Sequence, residues 1–226
     1  MELSLHYLPR RQQFTYKCQP SHIKRLTFKH TIGIIVSRLY LMEVDSLLMK
    51  KLDVRMMALA ALFAALSGVL SQITIPIGPV PINLTHVAIF TAVGILGTKY
   101  GVVSQIVFVA LGAVGVPVFS GFTGGVGIIA GPTGGFIIGY IGCALATGLM
   151  VKWLGKSIKA LIISMYVGWL VTYLMGVGWY MWRMDAGFVQ ALAYCVVPFL
   201  LGDIPKTILS AVLVNRIGVA VKAGQG

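Results

Sequence analysis

Asp203 and Lys206 lie three residues apart in an otherwise apolar run, VVPFLLGDIPKTILSAVL, residues 196 to 213. That spacing puts an acid and a base on one face of a helix. Pro205 between them lacks a backbone donor, so a helix starts or kinks there. An isolated charge in hydrocarbon costs ~2.5–3.5 kcal/mol on insertion scales, so charges inside apolar segments usually face a cavity and mark a substrate site. The pair can simply neutralise itself, or it can serve a ligand that presents both donor and acceptor groups. The second possibility makes it the leading site candidate.

Little else in the chain suggests reaction chemistry. Cys18, Cys143 and Cys195 are far apart, and the last two sit in apolar runs, so they read as packing residues rather than a disulfide or metal set. No HExxH, CxxC or GxxxxGK[ST] motif occurs. A membrane enzyme using Asp203 as acid or base would need a second group, and His86 is the only other intramembrane candidate.

The elements that must hold the pair are membrane helices. Hydrophobic residues make up 58% of the chain and charged residues 11%, and the mean hydropathy is +0.89. Soluble domains carry about 25% charge, and a soluble fold could not keep a wet exterior with this composition. Apolar segments at 56–75, 83–97, 101–118, 133–151, 158–181 and 188–214 predict an all-α integral membrane protein with six spans. With six, one side carries Lys50, Lys51, Arg55, Lys99, Lys152, Lys156, Lys159, Arg216 and Lys222, while the other carries Arg183 beside Asp185. That asymmetry places both termini in the cytoplasm.

Residues 1–48 differ from the rest. They hold seven of the 18 Lys and Arg, three of the six acids and three of the four His. They contain no h-region of a secretory signal, and TIGIIVSRLYL is too short to span a bilayer. The segment reads as a basic extension upstream of a start at Met49, ahead of a membrane domain at 49–226; the alternative is an arm that binds anionic lipid. The net charge of +12 is not a nucleic-acid signature, since the remaining basic residues fall at the ends of apolar stretches.

The expected outer connections, IPIGPVPI (75–82), the glycine-rich 116–135 and WYMWRMDAG (179–187), are too apolar to be ordinary solvated loops. Irregular backbone at membrane depth is tolerated where protein buries it or a cavity lines it. Gly127, Gly131, Gly135 and Gly139 recur every four residues, a pattern that small-residue helix packing also explains. Three such connections on one face favour a roofed outer pocket.

The loop IPIGPVPI, the run GVPVFSGFTGG, the motif GPTGGF and the closing PFLLGDIPK occur together in this order. They resemble the BioY family, the biotin-specific substrate-binding (S) components of energy-coupling factor (ECF) transporters, over about residues 49 to 220. The resemblance implies a six-helix subunit of a prokaryotic plasma membrane that captures biotin at its outer face. It implies a lid carrying Pro76, Gly78, Pro79 and Pro81, and no cofactor of its own. The partners it implies are a transmembrane coupling protein and two ATPase subunits, which use ATP. An Ala-x-x-x-Ala contact for the coupling protein falls on Ala60 and Ala64, although Ala61 and Ala65 offer the same spacing.

Carried over by motif, Asp203 and Lys206 match the family's acidic and basic binding positions. Thr123 and Gly124 lie in its glycine run, and Phe136 matches its aromatic position. The chain also departs from the pattern. Ile137 replaces an Arg of some members, and Thr85 and His86 stand in a common PI-x-LQT pattern after Pro81 and Ile82. His86 is a candidate to compensate at the carboxylate end of the ligand. The competing reading is a stand-alone secondary carrier.

Overall fold

A computed structural model describes residues 53–75 and 80–223. The elements are helix α1 (Val54–Gln72), strands β1 (Thr74–Ile75) and β2 (Ile82–Asn83), helix α2 (Thr85–Ala113), the one-turn α3 (Val126–Ile129), and helices α4 (Gly134–Leu154), α5 (Ile158–Met184), α6 (Phe188–Cys195) and α7 (Val197–Ala223). Side-chain caps start two of the long helices: Asp53 accepts from the Arg55 N–H at 3.1 Å and Ser157 from the Ala160 N–H at 3.3 Å. The strands form a small antiparallel hairpin that pairs Thr74 with Asn83 and Ile75 with Ile82.

Helices α1, α2, α4 and α5 are each long and apolar enough to cross a bilayer, and Phe188–Leu200 with Gly202–Gly218, covering α6 and most of α7, forms a fifth candidate bent by 47°. Helix α2 is not a single rod. Gly97 breaks it at φ +82° and ψ 176°, a conformation that favours glycine. A Cβ placed on Gly101 would lie 2.9 Å from the Cα of Val93. Eight residues of straight helix span ~12 Å, so the chain doubles back at Gly97 and its two arms pack side by side. These arms occupy the second and third apolar segments expected from sequence.

Two boundaries differ from expectation. Residues 179–184, expected in an outer loop, continue α5, which ends only where Asp185 takes a left-handed conformation at φ 51°. Composition suggested a loop there, but no proline interrupts the helix. The last apolar segment, expected at 188–214, breaks at Val196 just before Pro198 and then runs on through Pro205 to Ala223.

Helices α7 and α1 bury mainly polar and small residues and turn large apolar ones outward. On α7, Asp203, Lys206, Thr207, Ser210, Ala211 and Val214 are buried, while Ile204, Ile208, Leu209 and Val212 are exposed. On α1 the buried row is Ala60, Ala64, Ser67, Gly68 and Ser71. This row contains Ala60 and Ala64, the pair expected at the partner contact. Ala60 and Ala64 are 1% and 2% exposed, and Ala64 packs in the same cluster as Ile89, Phe90 and Phe108. Ala61 and Ala65, one residue on, face outward. A second buried cluster, including Val80, Phe136, Tyr180, Cys195 and Phe199, closes the end of the bundle near the hairpin.

Candidate functional site

At that end lies a cavity of about 170 Å³, lined by Ser71, Pro81, Asn83, Phe119, Ser120, Thr123, Thr133, Phe136 and Tyr140 among others. A smaller one of about 20 Å³ adjoins it, reaching His86, Trp169, Thr172, Tyr173, Phe199 and Lys206. The two share Val80, Pro81, Asn83, Phe136 and Tyr140, so they form one site with an outer and an inner part.

The inner part is built on helical spacing. Trp169 and Tyr173 project from one face of α5, as Phe136 and Tyr140 do from α4. His86 stacks on Trp169 with centroids 3.8 Å apart and 25° between planes, and meets Tyr140 edge-on at 5.2 Å. Its Nε2 is buried with no hydrogen-bond partner among the described residues. Such a nitrogen is costly to leave unmet, and a ligand in the cavity could satisfy it.

Lys206 Nζ is 3.2 Å from Asp203 Oδ1 and lies 5.3 Å above the Trp169 ring. The other Asp203 oxygen accepts from the Tyr173 hydroxyl. The Asp203 main-chain oxygen accepts from Thr207 Oγ1 at 2.7 Å, and Thr207 Oγ1 accepts from the Trp169 indole N–H at 3.1 Å. Asp203 is 3% exposed and lines neither part of the cavity, whereas Lys206 lines the inner one. The acid therefore fixes the base and a phenol, and the base and the aromatic faces meet whatever enters.

Asn83 organises the outer part. Its Nδ2 donates to Ser120 Oγ at 2.8 Å and to Tyr140 Oη at 3.3 Å, while its Oδ1 accepts from the Thr85 N–H at 3.2 Å. The roof is a tight turn in which Phe119 and Thr123 exchange backbone hydrogen bonds of 3.0 and 3.3 Å.

The expected site residues divide accordingly. Lys206, His86, Phe136, Thr123 and Pro81 line the cavity, and Asp203 stands directly behind it. Thr85 is fully buried at the start of α2, and Gly124 packs against the chain, where a Cβ would lie 2.4 Å from Val116 O; neither lines the cavity. Pro76, Gly78 and Pro79 lie outside the described residues, as does the 1–48 segment. Sequence reasoning did not single out Asn83, Tyr140, Trp169 or Tyr173. The four-residue spacing of the aromatic pairs on adjacent helices was the available signal.

The fold and this site define a polytopic membrane protein with a small buried ligand cavity at one end. The BioY family profile matches residues 45–223. The chain is 39% identical over 160 residues to the probable biotin transporter BioY of Pyrococcus horikoshii, covering 71% of this chain and 94% of that one. It is 34% identical over 166 residues to the biotin transporter BioY of Thermotoga maritima, covering 72% and 95%. It is also similar to the crystal structure of the S-component for biotin from an ECF-type ABC transporter, with a TM-score of 0.69, 31% identity, and coverage of 74% of this chain and 93% of that one. The chain belongs to the BioY family. That family comprises transporter components, not enzymes.

Proposed function

We propose that this protein is the biotin-binding S component of an ATP-driven ECF importer in a prokaryotic plasma membrane. The single observation that carries the reading is the cavity with Lys206, His86 and Asn83 set among stacked aromatics, in a chain of this family. Biotin combines a planar ureido group, an apolar thiophane ring and a valerate carboxylate. Lys206, braced by Asp203, is placed to donate to a ligand oxygen, and such charge-assisted bonds are roughly twice as strong as neutral ones. Trp169, Phe136 and Tyr140 supply apolar walls for the ring and chain. His86 Nε2, in the same inner part as Lys206, and the Asn83 amide, shared by both parts, offer further polar contacts, with Thr123 in the roof. Thr85 and Gly124 then act by packing. No cofactor is needed for capture.

The topology that suits this role has six crossings, counting the two arms of α2 separately and α6–α7 as one, with both termini cytoplasmic. The basic residues at the ends of the apolar stretches support that orientation. Coupling would pass to a transmembrane protein and two ATPase subunits. The outward-facing Ala61 and Ala65 are the small residues available for close helix approach. Residues 1–48 are then dispensable for capture.

Titration of the purified chain with biotin, without partners, tests the reading. Tight, saturable binding is expected, and absence of binding would overturn it. A stand-alone secondary carrier would instead accumulate biotin in vesicles containing this chain alone.

A further inference from the structure

We infer that Gln72, the last residue of α1, is a positioning residue that holds the roof of the cavity to that helix. The inference rests on the proposed biotin site and adds a residue that does not line it. Gln72 Oε1 accepts from the Phe122 N–H at 2.8 Å, and Nε2 donates to Phe119 O at 3.1 Å. Pro117 O lies 3.4 Å from the same nitrogen. One primary amide thus grips both sides of the 119–123 turn, using its acceptor and its donor. Reversing the amide would set its NH₂ against the Phe122 N–H, donor against donor, so the network fixes its orientation.

The gripped turn is not at rest by itself. Phe122 is a non-glycine residue at φ 56° and 73% exposed, so no side-chain burial compensates the left-handed backbone. Its N–H bond to Gln72 is what the structure provides instead. Phe119, Ser120 and Thr123, from this same turn, line the cavity. Ser71, beside Gln72, donates its hydroxyl to Val118 O and also lines the cavity. The roof is therefore tied to the outer end of the helix whose exposed Ala61 and Ala65 are proposed to meet the partner. Gln72 is seven residues from Ala65, ~10 Å along the helix. A shift of α1 on docking would carry the roof with it.

The test uses the full chain in lipid nanodiscs as wild type, Gln72→Met and Gln72→Glu. Met keeps the length and removes both hydrogen-bonding functions; Glu keeps the acceptor for Phe122 and loses the donor. Biotin association and dissociation rates are measured, together with hydrogen exchange across 117–123. In Gln72→Met, exchange should rise and biotin should leave roughly tenfold faster, the scale of one or two lost neutral hydrogen bonds. Association should change less than about twofold, and Gln72→Glu should fall between the other two. Unchanged exchange would show that Gln72 does not hold the turn. Raised exchange with unchanged dissociation would show that the turn does not retain ligand. Either result overturns the inference. If wild type binds no biotin, the functional reading fails, and the exchange comparison still decides whether Gln72 is a clamp.

Discussion

The ammonium of Lys206 sits 5.3 Å above the ring of Trp169 while its partner Asp203 lies 3.2 Å away. A cation between a carboxylate and an aromatic face is fixed in direction as well as charge. Trp169 also donates its indole N–H to Thr207 at 3.1 Å and stacks on His86, so a single ring registers three elements of the cavity wall. Desolvated cation–π contacts reach ~2 kcal/mol. Trp169→Phe keeps an aromatic face but loses the indole N–H, and should weaken biotin binding roughly tenfold by the 1.4 kcal/mol-per-decade rule. Trp169→Leu removes the face altogether and should cost more. Equal affinities for wild type and Trp169→Leu in a calorimetric titration would remove the ring from the binding account.

The acid–base pair makes a second, sharper prediction. Asp203→Asn leaves a buried ammonium without its carboxylate, and Lys206→Met leaves a buried carboxylate without its ammonium; breaking one side of a buried pair is strongly destabilising. Each single variant should therefore lose both folded yield and affinity. If the two groups only neutralise each other, the double variant regains both. Because Lys206 lines the cavity, the double variant should regain yield but stay at least ten- to hundredfold weaker for biotin, as expected for a lost charged hydrogen bond of ~1.5–3 kcal/mol. Recovered affinity in the double variant would reduce the pair to a structural role.

The buried His86 Nε2 has no hydrogen-bond partner among the described residues, and that has a consequence for binding. His86→Phe preserves the stack on Trp169 and deletes the nitrogen. If that nitrogen contacts the ligand, affinity should fall about tenfold for one lost hydrogen bond, with melting temperature held or raised because no polar atom is left unsatisfied. A melting temperature several degrees lower with unchanged affinity would make His86 a packing residue.

Much of this arrangement was legible in the sequence because membrane helices carry one dominant signal. The apolar segments located the helices, and of the charged pair in PFLLGDIPK the structure sets Lys206 at the inner cavity with Asp203 behind it. What could not be read was rotation about a helix axis. Ala60 and Ala61 head equally good small-residue spacings, and only packing against α2 decides which row is buried. Nor did composition show that α5 carries Trp179 and Arg183 on helix, because an apolar segment looks alike whether it ends or continues. Asn83 escaped notice for a similar reason: an asparagine after PI is unremarkable until the hairpin sets its amide between Ser120 and Tyr140.

That rotational ambiguity gives the last prediction. Tryptophan at Ala61 or Ala65 projects from the exposed face of α1, where it displaces no neighbour among the described residues. Biotin affinity of the purified protein should stay within about twofold of wild type, while ATP-driven uptake in cells carrying the coupling protein and ATPases should fall steeply, because a large side chain prevents close helix approach. Tryptophan at Ala60 or Ala64 meets a packed interior instead, where overfilling typically costs ~1–3 kcal/mol or more. Those variants should lose folded protein and binding together, before any partner is involved. The comparison needs only two measurements per variant, ligand affinity in isolation and uptake in cells. If Ala60→Trp and Ala64→Trp bind normally and fail only in uptake, the docking register returns to the buried row and the packing of α1 against α2 must differ from that described.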